Sequence, residues 1–176
     1  MAIARKLRTL AGAGPRRQMM ALEAGACLAA ARVATGLLPF RIIAGWLGPF
    51  VPPAAAPAPF VRADHKRAAQ EIGWAVRSVA AHAPFKAVCL QQALAAHAML
   101  RRRGIPSVVR FGAGRGDAKP LDAHAWVDAA GVAVTGHPVA PHIAEIGCFT
   151  GRTPWPPPAP DAAHPPPRAS AAGDAP

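Results

Sequence analysis

The apolar residues of this chain change their period once, at Arg101-Arg102-Arg103-Gly104-Ile105-Pro106, and that switch restricts the fold more than any other feature. Upstream, CLQQALAAHAMLRRRG repeats Leu90, Ala93, Leu94, His97 and Leu100 at helical spacing, with Cys89 opening the helix. The helix end is marked by its chemistry. Arginines lie beside the negative end of the dipole, Gly104 can take a left-handed cap, and Pro106 forbids continuation. Downstream the period is two, so SVVRFG, LDAHAWVD and GVAVTG read as strands separated by the hairpin loop GAGRGD and a tight turn. A helix followed by an antiparallel sheet means an α+β domain.

Proline decides how much chain is left for a core. Of 176 residues 21 are proline, concentrated in PFVPPAAAPAPF and in the stretch beyond Gly151. The first is expected to be a linker without regular ladders, the second a disordered tail with little to bury. Three segments follow: 1–60, helical, basic and proline-rich; 61–150, the folded domain; 151–176, the tail. In the first, helices are expected from about Pro15 to Gly36 and from about Pro39 to Gly48. Asp64 is expected to cap the next helix, whose stripe is Ile72, Ala75, Val76 and Val79 and which stops near His82 to Pro84. Much of the 52% apolar content is alanine, which limits the chain to one modest core.

A net charge of +11 attracts acidic peptides, nucleic acid or anionic lipid alike. Aromatic residues make up 6% with no tyrosine, so the interleaved pattern of a nucleic-acid platform is missing and nucleic acid is not expected as a partner. Cys27, Cys89 and Cys148 are odd in number and form no CxxC, which fits a reduced, cytoplasmic setting and no zinc site. The run MMALEAGACLAAARVATGLL follows Arg5, Lys6, Arg8, Arg16 and Arg17 and imitates a membrane segment. Glu23 and Arg32 interrupt it, leaving apolar stretches too short for a bilayer, so it is expected to be a buried or partner-facing helix.

Cys89 stands in the first turn of its helix, where unpaired N–H groups and the positive dipole end favour an anionic sulfur. That is where a nucleophile belongs, although a small buried hydrophobe is the ordinary role of a free cysteine. His124 lies in a strand that puts Asp122, His124, Trp126 and Asp128 on one face and Ala123, Ala125 and Val127 on the other. Flanked by alanines, it can approach a helix closely, and packing on the Cys89 helix would give the nucleophile and base of thiol chemistry. His97 fits the inner stripe of its helix as a core histidine, and Cys27 and Cys148 read as structural. His137, His142 and Cys148 lack zinc spacing.

The combination of CLQQALAAHAMLRRRGIPSVVRFG with AHAWVDAAGVAVTG resembles the transglutaminase-like leader peptidases of lasso-peptide biosynthesis, over about residues 84 to 136. The resemblance implies a transglutaminase-like, papain-like cysteine protease fold, with Cys89 as nucleophile, His124 as general base and no cofactor. The family's third member is an aspartate on the following strand, near where Gly136 stands here. With a short hairpin, Thr135 or Gly136 is expected opposite His124, and neither carries a carboxylate. Asp122 and Thr135 stay open as the orienting group. The resemblance further implies a lasso precursor peptide as substrate, a separate leader-recognition protein and an asparagine-synthetase-like cyclase as partners. Rival readings are acyl transfer to an amine, and a basic adaptor for anionic membrane or nucleic acid with Cys89 inert.

Overall fold

The computed structural model describes residues 14–116 and 120–151. The cluster Arg5, Lys6 and Arg8, the tail beyond Gly151 and the end of the GAGRGD loop lie outside the described residues. Among the described residues, four α-helices and a five-stranded antiparallel sheet make the α+β architecture expected: α1 is Pro15–Leu37, α2 Phe40–Leu47, α3 Ala63–Ala80 and α4 Cys89–Arg102. The strands are β1 Phe50–Val51, β2 Ser107–Gly114, β3 Asp122–Ala129, β4 Val132–Thr135 and β5 Ala144–Phe149, in the order β1-β5-β2-β3-β4.

Helix α4 is central. It packs on the sheet on one side and against α1 and α3 on others, so Gln91 and His97 are buried along with Ala93, Ala96, Met99 and Leu100 of its apolar stripe. Its alanines allow this, because a helix flanked on several sides needs small residues to keep every neighbour in contact. The helix ends as its sequence requires: Gly104 takes φ +65 and Ile105 N–H closes onto Leu100 O at 3.0 Å.

Helix α1 belongs to the same core. Ala24 and Leu28 are fully buried in it, and Glu23 accepts from Arg103 at the end of α4 at 3.0 and 2.6 Å. With 23 residues and an 18-residue stretch of mean hydropathy 1.3, α1 is long and apolar enough to cross a membrane by length and composition, against the expectation drawn from Glu23 and Arg32. Its outward stripe, Met19, Leu22, Val33 and Leu37, is exposed.

Two expectations are corrected. The segment PFVPPAAAPAPF does hold a ladder: Phe50 and Val51 pair with Phe149 and Cys148, because Pro52 withdraws an N–H only after these two residues. Asp64 is not the cap of α3. Arg62 precedes the helix and its guanidinium takes both Asp64 carboxylate oxygens at 3.2 and 3.1 Å, leaving the carboxylate in the first turn, where the dipole favours it. Strand β5 was not among the strands expected: Gly147 interrupts its alternation, and an added Cβ there would strike the Phe50 ring.

Candidate active site

Cys89 is the first residue of α4, as its position in the sequence implied. The first helical bond runs from Gln92 N–H to Val88 O at 3.1 Å, so the N–H groups of Cys89, Leu90 and Gln91 have no acceptor within the helix. Two glutamines hold this turn in place. Val88 N–H donates to Gln91 Oε1 at 3.1 Å, Gln91 Nε2 donates to Thr35 Oγ1 of α1 at 3.1 Å, and Gln92 Nε2 donates to Ala87 O at 2.9 Å. Sequence reasoning passed over both. The signal was a pair of amides two and three residues after a helix start, where a side chain reaches back to the cap. The Cys89 side chain is half-buried against the core.

His124 sits near the start of β3, half-buried, its ring stacked on Trp126 with centroids 5.9 Å apart and planes 20° apart. Its Nε2 lies 2.6 Å from Gly136 O. The route to that carbonyl is not the one a plain hairpin gives. The turn Ala130–Gly131 has positive φ at both residues, 49 and 72, as the twist of a two-residue hairpin demands, and pairs Ala129 with Val132. An irregularity then intervenes, so Thr135 faces Val127 where regular pairing would set it opposite Trp126, and Gly136 comes beside Trp126. The His124 ring reaches Gly136 along the strand, on the outer face.

The alternation of β3 is as expected, but the helix lies on the other side of it. Ala125, Val127 and Ala129 belong to the core under α4, which assigns His124, Trp126 and Asp128 to the opposite face. His97, near the end of α4, meets Ser107 at the start of β2 at 2.9 Å, so α4 runs back along β2. Among the described residues no hydrogen bond joins the Cys89 thiol to the His124 ring.

The remaining candidates have other duties. Asp122 accepts from His142 Nε2 at 3.1 Å, and Thr135 is 1% exposed, its Oγ1 buried without a partner. His97 is a core residue as its stripe implied, and burial, with Arg101 nearby, pushes its pKa down to about 4. Burial pushes the Cys27 and Cys148 thiols up, holding both as neutral thiols. A groove of about 530 Å³ between α1, α2 and α4 is lined by Cys27, Trp46, Leu94 and His97, and not by Cys89 or His124. Unforeseen on the outer face is an ion cluster in which Arg110 donates to Asp128 and Glu145, each at 2.8 Å, and His137 meets Asp128 at 2.9 Å.

A cysteine at the start of a central helix, beside a small antiparallel sheet that carries a histidine, is the layout of the papain-like thiol enzymes and acyl transferases. A family model agrees and covers more than half of the chain, including Cys89 and His124: over residues 34–145 the chain belongs to the transglutaminase-like superfamily. That membership carries cysteine protease or acyltransferase-type activity as the class of chemistry. No curated protein and no solved structure matches the chain.

Proposed function

We propose that this chain is a cytoplasmic cysteine peptidase that removes the leader from a ribosomally made lasso-peptide precursor. The observation that carries the reading is Cys89 as first residue of α4, its turn held by Gln91 and Gln92 and its N–H donors unspent, within the matched family segment. In this mechanism the Cys89 sulfur attacks the scissile carbonyl and His124 takes the thiol proton. The oxyanion is held by N–H groups of the α4 first turn, which have no acceptor within the helix. His124 then protonates the leaving amine as the C–N bond breaks, and water, deprotonated by the same ring, hydrolyses the thioester.

The finer identity of the substrate rests on the stretch CLQQALAAHAMLRRRGIP with AHAWV. Delivery by a separate leader-recognition protein, and onward passage to an ATP-using cyclase, are supported by the exposed stripe Met19, Leu22, Val33 and Leu37. An apolar row of that length on a basic chain fits a partner surface.

The test is incubation of a lasso precursor with the chain, its Cys89→Ala variant and the recognition protein, read by mass spectrometry. The expected result is a leader ending in a free carboxylate, lost with Cys89→Ala while the melting temperature stays. A new amide to an added amine in place of the free acid would turn the assignment to acyl transfer.

A further inference from the structure

A histidine that serves a thiol needs a third group to settle which nitrogen carries the proton, and the family's carboxylate has no counterpart at Gly136. Neither sequence candidate takes its place. The Asp122 carboxylate is engaged by His142 at 3.1 Å, and Thr135 Oγ1 is sealed without a partner. What the ring does contact is the main chain: Nε2 lies 2.6 Å from Gly136 O, while the Trp126 indole, 20° from parallel, sets the ring plane. A carbonyl oxygen can only accept, so this contact demands Nε2–H. In the neutral ring Nδ1 is then the basic nitrogen, and among the described residues it has no hydrogen-bond partner.

We propose that the Gly136 carbonyl is the positioning group for His124, standing in for a carboxylate. The inference rests on the peptidase reading for its catalytic meaning. Gly136 suits the task for two reasons. Its φ of +79 is one that glycine adopts without strain, and a Cβ there would lie 2.5 Å from Ala125 O and 2.7 Å from the Trp126 Cβ. The same crowding bars an aspartate from this position without displacement of β3. A neutral carbonyl fixes the tautomer as a carboxylate does but stabilises the imidazolium less, since hydrogen bonds to a charged acceptor are roughly twice as strong.

The experiment uses the full chain labelled with nitrogen-15 at histidine, with ring tautomers read from long-range proton–nitrogen correlations at pH 8 and the His124 signals identified by their loss in His124→Gln. The expected result is a ring held as Nε2–H with bare Nδ1. A ring protonated on Nδ1, or averaging between tautomers, overturns the proposal whether or not the protein cleaves anything. Gly136→Ala should release the preference and lower kcat about tenfold or more, a fraction of what a positioned base supplies, with KM little changed. If that variant does not fold, the wild-type tautomer still decides. Asp122→Asn and Thr135→Val should leave the tautomer as it is, and its loss in either overturns the assignment. A retained Nε2–H tautomer in a protein whose Cys89→Ala variant still cleaves would refute the peptidase reading alone.

Discussion

Lowering the pH from 7 to 5 should remove roughly 2 kcal/mol of folding stability through His97 alone. The side chain is 6% exposed, Nδ1 meets Ser107 Oγ at 2.9 Å, and Nε2 is buried without a partner. Charging the ring would place a cation there beside Arg101, and burial first, then that arginine, hold its pKa at about 4. In the unfolded chain the ring titrates at about 6.5. Between these values the unfolded state binds a proton that the folded state refuses. Stability is therefore full above about 6.5, declines as the pH falls, and stops declining below about 4. The slope cannot exceed about 1.4 kcal/mol per pH unit, and the part accumulated from pH 7 to 5 comes to the roughly 2 kcal/mol stated. Urea denaturation followed by tryptophan fluorescence at pH 7, 6 and 5 measures it, with His97→Gln as the reference. The other histidines are common to both proteins, so their contributions cancel. Wild type should lose about 2 kcal/mol more than the variant. Parallel pH dependence in the two proteins would refute the argument that His97 is buried neutral.

His124→Ala should lower turnover by the factor of about 100 to 10,000 that a positioned base supplies, and should slow alkylation of Cys89 by iodoacetamide at neutral pH. Unchanged rates would mean that His124 does not serve Cys89. Glu23→Gln should cost about 1 to 2 kcal/mol at pH 7, because Glu23 is 19% exposed and accepts two bonds from Arg103, itself a third exposed. Hydrogen bonding from Arg103 lowers the Glu23 pKa below 4.5, so the stabilisation is present above that value and is lost as the pH falls through the folded one. Melts of wild type and variant should accordingly converge under strongly acid conditions. Cys27→Ala and Cys148→Ala should keep most cleavage, and mass mapping should find these two thiols modified more slowly than Cys89, since burial holds them protonated.

What could be read from the sequence was what neighbours in the chain decide. The limits of α1 and α2, the start of α4 at Cys89, its stop at Gly104, the three strands after it and the two faces of β3 all follow from periodicity, caps and turn chemistry. These forces act within a few residues. The core position of His97 belongs with them, being a matter of helical stripe. Other features depend on contacts between residues far apart in sequence. The two-residue strand at Phe50 exists because β5 offers a free edge, and β5 itself is recognisable mainly by what packs around Gly147. That α4 lies on the alanine face of β3, not on the imidazole face, goes with the burial of Ala125, Val127 and Ala129 in one core with Val109 and Val134. The irregularity between β3 and β4 then set Thr135 opposite Val127, and it is a main-chain carbonyl, not a side chain, that meets the His124 ring. No pattern of residue types announces such a partner, because every residue carries a carbonyl and only the folded path of the chain decides where each one points.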